Sequence, residues 1–423
     1  MPLNTCPAAP APRNPYGTVL CAPHVARLLG GTLVGRLPNG MAPVAILLWT
    51  TANGGGLAFG GVLSALYALA SALSQPVKGR LLDRYGHPAV HTPAAVLNSA
   101  LLLALPLAGP HGGPALATVV TVAAGASAPA LETGLRSLWP SVVPDPRLRH
   151  AALSLDTGTQ GLLYIAGPLL VAVLASVHSP SLALVAAAVL GLSGSAVVVS
   201  APPSRRRRPA APAGGSSGRL AGSGLVLLFV SLSGVGFAIG ALSVWSVAMA
   251  DHNGTGMLAG SLPAAFFAGS LLGGLLYGRR TWPGTAVGQL RAGAALFLAG
   301  WLPLLALTSS YAATVAVAVP GAFLTVVMAS ASVSIDNLTP AGRNSEGYAW
   351  LLLSIGAGQA VGTALAGRLV DRLYVGAALP ALGASFTLLT LLLAHPAFAR
   401  AGSPDRRGRH RRTRSGQHRR ITA

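Results

Sequence analysis

Carboxylates are the scarcest chemistry in this chain. Of 423 residues only nine are Asp or Glu, and charged residues of both signs make up 9%. Soluble domains carry about a quarter. A chain this poor in charge cannot cover a soluble globule of its size with polar surface. No two carboxylates stand in a D-D or D-x-x-D pair, the arrangement with which a membrane-embedded transferase holds Mg²⁺ on a diphosphate. H-E-x-x-H is absent, which removes a zinc hydrolase of that type. No Gly-rich stretch ends in Lys-Ser/Thr, which removes a pump driven by a Walker motif. No nucleophile with a base is discernible, and no charged ring or filter repeat marks a channel. Two cysteines, Cys6 and Cys21, form neither a disulfide framework nor a metal site. No catalytic residue, cofactor or metal is therefore expected. The first 27 residues are Pro-rich and broken, without the compact apolar core of a cleavable signal peptide. The first apolar segment is expected to stay in the protein as an anchor.

What the chain has in abundance is apolar length. It is 52% hydrophobic with a mean hydropathy of +0.60. Its apolar stretches repeatedly reach about 20 residues, enough to cross roughly 30 Å of hydrocarbon at 1.5 Å per residue. The expected class is an all-α integral membrane protein. Twelve spans are predicted near 28–49, 56–77, 91–109, 115–138, 151–176, 181–201, 222–249, 257–277, 288–308, 311–334, 347–367 and 375–395. The longest polar interruption, 202–221, contains Arg205 to Arg208 followed by Pro, Ala, Gly and Ser, and reads as a flexible basic linker. The division is thus an arm 1–27, a six-helix bundle 28–201, the linker 202–221, a second bundle 222–395 and a basic tail 396–423.

The formal charge of +20 does not imply a nucleic-acid partner, because the positive charges sit in loops and tails and no folded basic domain presents them. Arg400 to Arg420 holds nine arginines and reads as a disordered tail attracted to anionic lipid headgroups. The loops after spans 2, 4, 6, 8 and 10 are all basic, whereas those after spans 1, 3, 5, 7 and 9 contain no Lys or Arg. Cytoplasmic loops carry the excess of Lys and Arg, so both termini are expected in the cytoplasm. Arg368 and Arg372, after span 11, are the exceptions. Ala-, Gly- and Arg-rich, Lys-poor usage suggests a high-GC bacterium, and hence its cytoplasmic membrane.

One short stretch carries the clearest motif. Gly79-Arg80-Leu81-Leu82-Asp83-Arg84-Tyr85-Gly86-His87-Pro88 separates two segments, 56–77 and 91–109, that contain no charged residue. It reads as a tight loop turned at Gly79 and Gly86. It resembles the G-x-L-x-D-R-x-G-[RK]-[RK] motif between the second and third helices of the major facilitator superfamily. Gly79, Leu81, Asp83, Arg84 and Gly86 match, while His87 and Pro88 replace the closing basic pair. Gly167-Pro168 on span 5 is similar to part of that family's antiporter motif, whose Gly-rich remainder is missing. Trp139-Pro140 and Glu346-Gly347-Tyr348-Ala349-Trp350 resemble actinobacterial-type efflux permeases of the family. The resemblance covers about 28–395. It implies two six-helix bundles related by an axis along the membrane normal, and a substrate cavity between them. It further implies alternating access driven by an ion gradient, usually protons, in a monomer. The apolar cavity favours efflux of amphipathic small molecules. An uptake permease for sugars or other metabolites, or an integral membrane enzyme, is the alternative.

Charges inside spans are costly and default to functional hypotheses. Arg36 lies within span 1, in a Gly35-to-Gly40 stretch that reads as a break, and either lines the substrate pathway or snorkels to the interface. Glu132 and Arg136 form an i,i+4 pair on span 4. Asp156, with Gln160 beside it on span 5, is either a protonatable coupling group or the partner of an Arg in the loop 139–150. The family resemblance implies that Asp83 faces the start of span 11 near Glu346. There a helix N-terminus attracts a carboxylate, and Arg84 or Arg343 is expected to offset the charge of Glu346. Gly79, Asp83, Arg84, Gly86, Glu132, Arg136 and Glu346 are the expected conformational lock; Arg36, Asp156 and Gln160 are the expected substrate or ion pathway. Gly236 with Gly240 on span 7, and Gly358 with Gly362 on span 11, have the spacing of close helix packing.

Overall fold

Long apolar runs without water force every backbone polar group into a helix, and helices are what the chain forms. A computed structural model describes residues 15–108, 113–206, 223–253, 257–279, 282–306, 310–340, 342–369 and 373–393. Most of the linker and the whole basic tail lie outside the described residues, as does Val370-Asp371-Arg372.

A short helix α1 (Pro15–Cys21) meets α2 (Val25–Ala52) at an 88° bend. His24 supplies the left-handed residue at that corner (φ 69°). Then follow α3 (Leu57–Tyr85), α4 (His87–Ala108), α5 (Gly113–Ser127), α6 (Leu131–Val142), α7 (Pro146–Val177), α8 (Pro180–Val199) and the short α9 (Pro202–Arg206). After the linker come α10 (Ser223–His252), α11 (Met257–Tyr277) and α12 (Ala286–Trp301), the last continued by a 3-10 turn to Leu305. Next are α13 (Ser310–Ala316), α14 (Ala318–Leu338), α15 (Asn344–Arg368) and α16 (Leu373–Leu393). With α5–α6 and α13–α14 each counted as one interrupted rod, the described residues form twelve long rods, six on each side of the linker. Eight helical stretches among them are individually long and apolar enough to cross a membrane.

Three sequence expectations change. The span containing Arg36 is one continuous helix through Gly35, Pro38 and Gly40, not a broken one, because neighbouring helices pack against it along its length. The fourth span is interrupted instead, with a non-helical step at 128–130. The supposed loop 79–88 is almost wholly helical: α3 runs to Tyr85, α4 starts at His87, and Gly86 alone turns the chain with φ 84°. The arm is held to the bundles. The Tyr16 hydroxyl donates to the Gly274 and Leu275 carbonyls at 2.7 and 2.8 Å, fastening α1 to the end of α11.

Successive rods alternate in direction, so one end of the molecule collects Arg80, Arg84, Arg147, Arg149, Arg205, Arg206, Arg279 and Arg343. We refer to it as the basic end. Among the described residues Arg368 alone lies at the opposite end.

Each half has its own apolar core. Met41, Ile46, Trp49, Tyr67 and Leu184 are buried together in the first, and Leu232, Phe266, Phe297, Trp301 and Leu324 in the second. Within the second half the two paired-glycine motifs face one another. A side chain at Gly236 would strike the Ile355 carbonyl, and one at Gly358 would strike that of Ser233. The absence of Cβ atoms lets α10 and α15 approach to backbone contact, where dispersion replaces the hydrophobic drive that lipid cannot supply.

Candidate functional site

Two seams join the halves, one at the basic end and one near the middle of the helices. On one side α3 meets α15. A Cβ built on Gly79 would come within 2.7 Å of the Ser345 carbonyl and of the Ala349 methyl. Gly79 is therefore a closest-approach point inside a helix rather than a turn residue. On the other side α7 meets α11, with Gly161 against Phe267 and the Tyr164 and Phe267 rings stacked 5.0 Å apart.

Asp83 closes the first of these seams. Its Oδ1 accepts from the Ser345 backbone N–H at 3.2 Å and its Oδ2 from that of Glu346 at 2.9 Å. A carboxylate from one half thus caps the N-terminal turn of α15 in the other, where free N–H groups and the helix dipole favour negative charge. Glu346 points the other way. Its oxygens accept from Arg80 Nε at 2.5 Å and from Arg343 Nε at 2.8 Å. The arginine of α3 that serves Glu346 is Arg80 and not the expected Arg84. Arg84 lies one turn further out, with its guanidinium 5.3 Å from the Tyr85 ring.

The other expected members, Glu132 and Arg136, are not part of this seam. They belong to a second group inside the first half. Arg36 of α2, Glu132 and Arg136 of α6 and Asp156 of α7 are each no more than 7% exposed. Arg36 Nη2 reaches Glu132 Oε2 at 2.5 Å and Arg136 Nη2 reaches Glu132 Oε1 at 2.8 Å. Arg136 Nε donates to Asp156 Oδ2 at 3.0 Å, and Arg36 Nη1 stands 3.8 Å from Asp156 Oδ1. With its amide turned to match its neighbours, Gln160 accepts from Arg36 at 3.1 Å and donates to Glu132 at 3.3 Å. Arg36 is therefore paired inside the first half and does not snorkel to the interface. Asp156 pairs with Arg136 and Arg36 instead of a loop arginine; Arg149 donates to the Val143 and Pro144 carbonyls. Two cations and two anions from three helices balance to zero charge, the condition under which buried charges are tolerated. The individual residues were legible as intramembrane charges. Their depth was the neglected signal: Asp156 lies about 15 Å into α7 at 1.5 Å per residue, beyond the reach of Arg147 or Arg149.

A third polar group was missed. Lys78, the single lysine of the chain, is buried in α3 and donates to the Ala128 carbonyl at 2.5 Å, satisfying the break between α5 and α6. His87 and His91 of α4 are fully buried close by, with ring centroids 5.4 Å apart. Gly134 leaves room for both rings: a Cβ there would lie 2.6 Å from His91 Nε2.

Two six-rod halves with such a seam are the architecture of one transporter family, and the sequence itself agrees. Residues 28–350 match the profile of the Major Facilitator Superfamily. The chain belongs to this family. Solved structures share the fold at low identity. A bacterial homologue of the iron transporter ferroportin, in the outward-facing state with soaked iron, has a TM-score of 0.64 and 17% identity. The match covers 90% of this chain and 99% of that one. The human organic anion transporter MFSD10 (TETRAN) has a TM-score of 0.61 and 16% identity, over 87% and 99% of the two chains. No curated protein matches the sequence significantly. The protein is thus a multi-pass membrane transporter with the superfamily fold. In the frame of that family Asp83 and the start of α15 are contributed by opposite bundles.

Proposed function

We propose that this transporter exports an amphipathic small molecule across a bacterial cytoplasmic membrane in exchange for protons. Two bundles rocking about a central site provide alternating access. The observation that carries the reading is the neutral Arg36–Glu132–Arg136–Asp156 cluster, buried across three helices beside the α7–α11 seam. A proton added to either carboxylate leaves an arginine without its full counter-charge in a water-poor site. Protonation is thereby coupled to how tightly α2, α6 and α7 are held together. The carboxylate-poor apolar interior favours amphipathic cargo over sugars.

A thermal-shift screen of amphipathic compounds on the purified protein supplies the cargo. In liposomes with an imposed pH gradient, Glu132→Gln and Asp156→Asn are each expected to reduce gradient-driven accumulation at least about tenfold while sparing substrate counterflow, the signature of lost coupling. Retention of full gradient-driven transport by both variants would refute proton coupling through this cluster.

The basic end is assigned to the cytoplasm from the arginine asymmetry. In a variant without Cys6 and Cys21, Ser217→Cys in the linker is expected to resist a membrane-impermeant maleimide in intact cells. Ser179→Cys, at the start of α8, is expected to react. Equal labelling of the two would overturn the orientation.

A further inference from the structure

The two sides of the molecule are closed differently at the basic end. On the α3–α15 side a carboxylate, Asp83, binds a helix N-terminus. The α7–α11 side has no equivalent, because residues 257–285, which hold α11 and the turn after it, include no Asp or Glu. The two helices are nevertheless close there. A Cβ built on Gly274 would lie 2.8 Å from the Ser154 carbonyl, and one on Gly278 would lie 3.0 Å from Ser154 Cβ. The short helix α1 reaches this corner. Its Tyr16 hydroxyl stands 2.7 Å from the Gly274 carbonyl and 2.8 Å from that of Leu275, so one proton is shared between two of the last four carbonyls of α11. Carbonyls at a helix C-terminus lack intrahelical partners and carry the negative end of the dipole. A neutral donor on a C-terminus therefore does on this side what an anionic acceptor on an N-terminus does on the other.

We propose that α1 is a strap that rides on the first half and latches the second through Tyr16, so that the basic end opens only when this hydroxyl leaves α11. The hold on the first half is broad and apolar. Tyr16 and Val19 are buried in one cluster with Leu28, Trp139, Ala151 and Leu153, all from that half. The 88° bend before α2 turns α1 aside from the axis of α2 instead of prolonging it. The hold on the second half is narrow: Leu275 and Val333 at the edge of the cluster, and the shared hydroxyl. A broad apolar anchor resists each cycle, whereas a single polar latch can break and re-form. The inference rests on the rocking of the two halves and on neither the cargo nor proton exchange.

The test is pulsed electron paramagnetic resonance on the full-length protein in lipid nanodiscs. In a variant without Cys6 and Cys21, labels at Arg147→Cys and Pro283→Cys, both exposed, read the separation of α7 from the turn after α11. With Cys6 alone removed, labels at the exposed native Cys21 and at Arg147→Cys read the seat of α1 on the first half. Tyr16→Phe keeps the ring and removes the hydroxyl. It is expected to raise the ratio of long to short distances in the first pair roughly tenfold, the effect of depriving a buried acceptor of its hydrogen bond. Distances in the second pair are expected to stay as in the wild type. Gly278→Ala, whose methyl would strike the Tyr16 hydroxyl, is expected to act the same way with Tyr16 intact. Melting temperatures serve as folding controls, and Asp83→Asn is measured alongside. Wild-type distances at the first pair in Tyr16→Phe and Gly278→Ala, with a longer population in Asp83→Asn, overturn the strap and leave the rocking halves standing. Wild-type distances in all three variants overturn the strap and the rocking together. A longer distance at the second pair in Tyr16→Phe means that α1 does not ride on the first half, and overturns the proposal as well.

Discussion

Arg136→Ala is expected to lower the melting temperature of the detergent-purified transporter by several degrees, the largest loss of any single change at the four-charge cluster. Arg136 is fully buried and holds Glu132 at 2.8 Å and Asp156 at 3.0 Å. Its removal leaves two carboxylates sharing Arg36 in a buried site. Breaking a buried pair from one side costs about 3–5 kcal/mol, because the remaining charge is uncompensated. Replacing both partners with apolar residues of similar volume is often neutral, so Arg136→Met combined with Asp156→Leu is expected to recover most of the loss. Scanning fluorimetry of the three proteins decides the matter. A single variant that melts with the wild type would mean that water or another group supplies the charge, and the cluster would lose its structural role.

Asp83→Asn is expected to open the basic end. The variant keeps one acceptor oxygen but loses the charge that caps the Ser345 and Glu346 N–H groups. Hydrogen bonds to charged groups contribute about 1.5–3 kcal/mol, which corresponds to roughly a 10- to 150-fold shift in a two-state equilibrium. Gly79→Val is expected to act in the same direction by bulk, since its side chain would meet the Ser345 backbone. Spin labels at Tyr85→Cys and Asn344→Cys, in a protein without Cys6 and Cys21, read the separation of α3 and α15. Both variants are expected to add a longer-distance population and to slow turnover while leaving substrate affinity near wild type. If Asp83→Asn shows the wild-type distances and normal turnover, the seam is only a surface contact. The two variants also distinguish charge from shape, because high salt is expected to mimic the first and not the second.

Several features of this arrangement were open to reading without coordinates. Apolar runs of about 20 residues mark the membrane segments, and the alternation of basic loops sets their directions. Both are one-dimensional consequences of bilayer thickness and charge. The motif around Asp83, through its resemblance to a known family, pointed to the start of α15. The same reading took Gly79 to Arg84 for loop residues because polar residues interrupt the apolar run. In the structure backbone hydrogen bonding carries α3 on to Tyr85. Arg80 and Arg84 differ by one helical turn, about 6 Å of depth, and that offset decides which of them meets Glu346.

Partner choice inside the bundles was decided only by the tertiary structure. Arg36 and Glu132 are 96 residues apart in sequence and meet at 2.5 Å. Gly79 of one half touches Ser345 and Ala349 of the other. Hydropathy cannot encode such pairings, because the lipid-facing and protein-facing sides of a membrane helix are similarly apolar and little in the sequence marks its rotation. Composition and spacing therefore mark the membrane segments and the end of the molecule at which the arginines collect. The rotation and depth of each helix, fixed by glycine contacts and by the need to neutralise every buried charge, determine which residues form the seam and the cluster.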